Sequence, residues 1–204
     1  MIDCSKNPLK VAITGHSRGI GKAFADWFLS RGHEIVGLSR GNGYNIQHTD
    51  QIIDQVKNCD IFINNAWQDF DQSMLMYRLH EEWFGDQEKL IVAVSSARTI
   101  KPTEYHNHNA VRNLYKTSKK CLEESCEHLW NHNPYPRICV FKPGHTDTKF
   151  TSKSTRPKMD ADQLITYFMS CVASAPPGMF VQEICIREQH NIENLRDNSH
   201  DLDG

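Results

Sequence analysis

The chain has 204 residues, with 23 lysines and arginines against 25 aspartates and glutamates, a net charge of −2 and an isoelectric point near 6.6. That length suits one domain with a real core, and the charge balance leaves no basic footprint for nucleic acid or an anionic membrane surface. Seven scattered cysteines without a C-x-x-C pair, and no apolar run near the ~20 residues of a membrane span, argue for a reduced, cytoplasmic protein.

The opening residues Met1 to Lys6 do not read as a secretion signal, because the first strand begins almost at once. Leu9 and Val11 to Ile13 predict a buried strand. It meets Gly15, Gly19 and Gly21, and the apolar-periodic positions Ile20, Phe24, Trp27 and Phe28 follow, so the order is strand, tight turn, helix. Glycine suits positive φ and close approach of backbone to a ligand. The free N–H groups and dipole of the helix suit a pyrophosphate. The same turn also reads as a plain strand-to-helix connection.

The helix from Ile20 to Ser30 stops at Gly32, and Glu34 to Leu38 is a second strand ending at Ser39-Arg40. Gly41-Asn42-Gly43 is turn chemistry, Tyr44 to Ile46 reads as a very short strand, and no helix fits between them. Asp50 to Lys57 is helical by pattern, and Cys59 to Ile63 is a strand landing on Asn64-Asn65-Ala66. Residues 69–83 form a helix with Leu75, Leu79 and Trp83 on one side; Lys89 to Val94 is a strand ending at Ser95-Ser96. The longest helix runs from Asn109 to His132 and closes at Pro134 and Pro136. Arg137 to Phe141 is a strand, 149–158 a mobile loop, Ala161 to Ala173 a helix and Met179 to Ile186 a last strand. Cys59, Cys139 and Cys185, in or beside strands, read as small buried hydrophobes. Residues 1–187 form the domain, and 188–204 are a polar tail expected to be disordered.

Alternating strands and helices, with strands apolar on both faces, predict an α/β fold: a doubly wound parallel sheet of Rossmann type with helices on both sides. Ligands in such folds sit beyond the carboxyl ends of the strands, where Thr14-Gly15, Arg40, Asn64-Asn65, Ser96 and Pro143-Gly144 all fall. Tyr115 and Lys119 are four apart and share one helix face. An ammonium near a phenol lowers its pKa, so such a tyrosine can exchange a proton with a substrate oxygen. Ser96 could hydrogen-bond the same oxygen, although a serine at a strand end is otherwise a cap or turn residue.

With these residues in hand, TGHSRGIG at 14–21, NNA at 64–66, Ser96, YKTSK at 115–119 and PGHTDT at 143–148 occur in the order of the short-chain dehydrogenase/reductase family, which the chain resembles over nearly its whole length. The resemblance implies that Gly15, Ser17, Arg18, Gly19, Ile20 and Gly21 turn around the cofactor pyrophosphate. It implies that Asn64, Asn65 and Ala66 lie along the adenosine side, and Pro143, Gly144, Thr146 and Thr148 at the nicotinamide end. Ser96 would polarise the substrate carbonyl and Tyr115 would be the general acid or base. Lys119 would hold the nicotinamide ribose and depress the Tyr115 pKa. Arg40 at the end of the second strand, with Arg18 and no carboxylate there, favours NADP(H) over NAD(H).

Several features depart from the family pattern. The helix after the second strand is replaced by Gly41 to Gly43, Asn45 stands where an aspartate is common, and Trp67 where glycine is usual. No asparagine between Asn65 and Asn107 can serve as the family's relay residue. Glu104, His106 and His108 lengthen the stretch before Tyr115 and read as a solvated loop rather than a metal cluster. His145 is placed to touch substrate. The pocket walls, from Arg98 to Asn109, His145 and 149–160, suggest a small or polar substrate.

The expectation is an NADP(H)-dependent carbonyl reductase or alcohol dehydrogenase with a Ser96-Tyr115-Lys119 set and no metal. The alternative is a nucleotide-binding sensor or scaffold with little catalysis. A homodimer or homotetramer is expected through the helices at 69–83 and 109–132, with Leu75, Leu79, Trp83, Leu122 and Trp130 supplying the apolar patch.

Overall fold

The computed structural model describes residues 8–100 and 109–188. Its strands are β1 (Lys10–Thr14), β2 (Glu34–Leu38), β3 (Ile61–Asn64), β4 (Leu90–Val94), β5 (Arg137–Pro143) and β6 (Glu183–Ile186). Its helices are α1 (Gly19–Leu29), α2 (Thr49–Val56), α3 (Asp71–Glu82), α4 (Ala110–His132) and α5 (Ala161–Ala173). The strands form one parallel sheet in the order β2-β1-β3-β4-β5-β6. The chain steps outward from β1 to β2, then returns past β1 to β3, so the strand order reverses there and a crevice opens at the carboxyl ends.

Side chains alternate across the sheet and feed two cores. Ala12, Phe62, Ile91 and Val140 face α2, α3 and α4, meeting Ile52, Leu79 and Leu122. Ile13, Ile63, Val92 and Phe141 face α1 and α5, where Phe141 and Phe168 pack with ring centroids 4.3 Å apart. Asn109 caps α4 by accepting from Arg112 N at 3.0 Å, and Asp160 caps α5 by accepting from Gln163 N at 2.8 Å. Among the described residues no helix is long and apolar enough to cross a membrane.

Three expectations are corrected. Tyr44 to Ile46 is not a strand: the Asn42 side chain accepts from Ser39 N at 2.8 Å and donates to Gly37 O at 2.6 Å, curling the chain away from β2. Ile46 drops into the core instead. Leu75, Leu79, Trp83 and Leu122 supply no interface patch, because all four are buried within this chain; Trp130 stacks on Phe180 at 5.7 Å. Cys59 and Cys139 are buried as expected, but Cys185 is exposed on the edge strand. Glu104, His106 and His108, and most of the expected tail, lie outside the described residues.

Candidate active site

The glycine turn is built for close approach. Gly15 and Gly19 have φ of +71° and +55°, in the left-handed region. A Cβ on Gly21 would stand 2.3 Å from Gly15 O, so this third glycine lets α1 sit tight against the turn. Helix α1 begins with no side-chain cap and no acidic residue in its first turn, leaving its N–H groups and positive dipole end unneutralised. The Thr14 hydroxyl ties β1 to β3, accepting from Asn65 N and Ala66 N, both at 3.0 Å. Asn65 Nδ2 donates back to Thr14 O at 3.0 Å.

A crevice of about 1600 Å³ runs from this turn across the sheet ends. Gly15, Ser17, Arg18, Gly19, Ile20, Arg40, Asn65, Ala66, Ser96, Tyr115, Lys119, Pro143, Gly144, Thr146 and Thr148 all line it. Two expected cofactor residues do not. Gly21 is buried beneath the turn, and Asn64 is fully buried, its Nδ2 donating to Gln72 O at 2.9 Å.

At the other end of the crevice Ser96, just past β4, lies beside the Tyr115 phenol, close enough to draw its pKa downward. Arg98 N–H donates to Ser96 Oγ at 3.3 Å, which leaves the serine proton free to be donated. Thr99 Oγ1 lies 2.8 Å from Ser96 O and 2.7 Å from Glu123 Oε1, its single proton shared between the two acceptors, which fixes this corner. Glu123 also bonds Ser95 Oγ and pairs with Lys142 at 3.0 Å, and Lys142 reaches Glu183 on β6 at 2.8 Å. One polar network thus joins β4, α4, β5 and β6 behind the site.

Tyr115 lies between two aromatic rings, Trp67 at 5.1 Å edge-on and Phe150 at 5.7 Å. Trp67 is tied to α4 by its Nε1, which donates to Ser118 Oγ at 2.9 Å, so it forms a wall of the crevice. Burial holds the phenol above its usual pKa, with the nearby Ser96 hydroxyl and the Arg98 charge pulling partly back. This differs from the depression expected from Lys119. That ammonium is 5.7 Å from the Tyr115 ring centre and is turned into the sheet, donating to Gln72 Oε1 at 2.7 Å and Val94 O at 2.6 Å. Burial lowers the Lys119 pKa to about 7, with Glu123 opposing. Tyr115 therefore holds its proton at neutral pH and is set up as an acid.

Gln72 and Glu188 are missed by the sequence reading. Gln72 Nε2 donates to Asn64 O at 2.6 Å and Val94 O at 3.1 Å, so one buried carboxamide clamps two strand ends and receives the lysine. Its signal was a polar residue on the apolar stripe of α3, three before Leu75. Glu188, which composition assigns to the tail, follows β6 into the crevice. Its Oε2 accepts from His145 N at 2.9 Å, and a Cβ on Gly144 would stand 2.5 Å from that oxygen. The His145 ring bonds Pro157 O at 2.8 Å.

The arrangement is a glycine-rich turn under a bare helix N-terminus and a serine-tyrosine pair at opposite ends of one crevice in a doubly wound sheet. That architecture is the fold of the short-chain dehydrogenases. A short-chain dehydrogenase from Burkholderia cenocepacia in complex with NADP superposes with a TM-score of 0.69 at 14% identity, over 97% of this chain and 94% of that one. An alcohol dehydrogenase from Thermococcus sibiricus complexed with 5-hydroxy-NADP gives 0.65 at 16% identity, over 91% and 100%. A short-chain dehydrogenase/reductase from Vibrio parahaemolyticus gives 0.70 at 15%, over 88% and 100%. No family model and no curated protein matches the sequence.

Proposed function

We propose that this chain is a short-chain dehydrogenase/reductase: an NADP(H)-dependent oxidoreductase acting between a carbonyl and an alcohol. The observation that carries the reading is that Ser96 and Tyr115 line the same crevice as the bare α1 N-terminus and its glycine cradle. The residues fit a dinucleotide: Gly15 and Gly19, at positive φ, line the crevice beside the bare α1 N-terminus that suits a pyrophosphate, and Arg18 and Arg40 line it with the guanidinium groups a 2′-phosphate would need. Nicotinamide solved with related folds, as NADP in one neighbour and NADH in 4-hydroxyisoleucine dehydrogenase, supports the class of cofactor.

A bound nicotinamide supplies or accepts the hydride. Ser96 orients the substrate oxygen and Tyr115 delivers its proton to it during reduction. Lys119, held by Gln72 and Val94 O, lies behind the tyrosine and controls the charge beneath it. Part of the same proposal is a twofold assembly through the outer faces of α3 and α4, where Met74 and Val111 are exposed; a monomer mass by light scattering removes it.

The test is a titration with NADPH and NADH, on wild type and Arg40→Ala. Tight NADPH binding that weakens selectively in the variant supports the reading; NADH preference removes the 2′-phosphate assignment. Phe150 lying against the Tyr115 ring favours the second reading, a nucleotide sensor with little catalysis. Dinucleotide binding without turnover of any carbonyl or alcohol in a broad screen would select it.

A further inference from the structure

The chain carries a net charge of −2, yet its crevice is strongly positive. Toward the Tyr115 end it is lined by Arg98, Arg112, Lys149, Lys153, Arg156 and Arg187, against one carboxylate among the described residues, Glu188. That carboxylate is already committed, to Arg156 at 3.5 Å and to His145 N at 2.9 Å. Among the described residues no carboxylate pairs with Arg98, Arg112, Lys149, Lys153 or Arg187. Like charges gathered in a concave wall repel one another and focus a field that draws in anions.

The cofactor does not account for all of them. The phosphates of NADP(H) carry roughly four negative charges, and the α1 N-terminus, Arg18 and Arg40 already face them. Of the cations toward the Tyr115 end, Arg98 and Arg112 are the two that flank the reacting groups along the chain. Arg98 is two residues beyond Ser96 and bonds its Oγ through the backbone, while Arg112 precedes Tyr115 by three residues on α4. Both side chains are exposed to the crevice. Guanidinium forks match the paired oxygens of a carboxylate or phosphate.

We propose that the substrate is itself an anion, a carbonyl or alcohol bearing a carboxylate or phosphate that Arg98 and Arg112 hold while its reacting oxygen meets Ser96 and Tyr115. This rests on the oxidoreductase reading of the crevice. It narrows the sequence-level expectation of a small or polar substrate to a charged one, and it gives Arg98 two tasks, since its backbone also fixes Ser96.

The experiment is calorimetry on the full chain saturated with NADP⁺ at constant ionic strength, titrating succinate, methyl phosphate and the neutral analogue succinamide. One of the two anions binds at least about tenfold more tightly than succinamide, and which one does so separates carboxylate from phosphate recognition. Arg98→Gln and Arg112→Gln each weaken that anion by about tenfold while NADP⁺ affinity and melting temperature stay at wild-type values. Equal binding of anions and succinamide, or anion binding that survives both substitutions, overturns the proposal. If NADP⁺ itself fails to bind, the oxidoreductase reading fails. The same titrations without dinucleotide, compared across wild type and the two variants, then still decide whether the anion site exists.

Discussion

The two ends of the crevice are made in different ways. At the glycine turn the geometry comes from backbone: positive φ at Gly15 and Gly19, a missing Cβ at Gly21, and N–H groups at the start of α1. At the Tyr115 end it comes from side chains held by other side chains: Ser96 through Thr99, Lys119 through Gln72, Tyr115 between Trp67 and Phe150. A backbone site tolerates no added atom but needs no partner. A side-chain site can be retuned by a single substitution in a residue that never touches substrate.

That contrast can be broken in several places. Tyr115→Phe removes the proton donor, and turnover falls by about 10² to 10⁴ with NADPH affinity retained; a variant with unchanged turnover removes Tyr115 from the chemistry. Gly21→Val forces a Cβ into Gly15 O, costing about 1–3 kcal/mol of stability and weakening NADPH binding. A melting curve and titration that match wild type would mean that the turn is more plastic than its contacts indicate.

Gln72 sharpens the contrast, since its link to the crevice chemistry runs through Lys119. Gln72→Glu puts a carboxylate on the ammonium and raises its pKa, so the pH at which carbonyl reduction declines moves up by about one unit. Gln72→Leu strands the ammonium and moves it down, and Gln72→Asn lies between. Identical profiles for all three would reduce Gln72 to packing. Stability follows the same group. The folded-state pKa of Lys119, about 7, is below the ordinary 10.5, so between those values the unfolded chain binds the extra proton. Stability therefore rises as pH climbs through that window, and Lys119→Met flattens the rise in chemical denaturation. The smallest effect is at Phe150→Ala, which removes one ring from Tyr115, a pair worth about 0.5–1.5 kcal/mol. A severalfold change in KM is expected, with kcat little altered.

The same contrast explains what could be read from the sequence. Strand–glycine turn–helix and the four-residue spacing of Tyr115 and Lys119 are local patterns, and local geometry follows from them. The parallel sheet followed from alternation, because buried strands must be apolar on both faces. Gln72 was not legible in its role, since its partners lie eight, 22 and 47 residues away. Glu188 was hidden by composition: a polar residue after the last strand reads as tail until β6 is placed beside β5. The interface patch failed for a related reason. Periodicity marks an apolar stripe on α3 and α4, but only packing tells whether it meets this chain's sheet or another copy.

Trp67, pinned to Ser118 and edge-on to Tyr115, gives the molecule an optical reporter at its reacting centre. At 5.1 Å the two rings are coupled closely enough for light absorbed by the phenol to leave as indole emission. Loss of the tyrosine proton therefore changes the fluorescence of the unlabelled protein. The difference between wild type and Trp67→Phe isolates that signal from Trp27, Trp83 and Trp130, and its disappearance in Tyr115→Phe identifies its source.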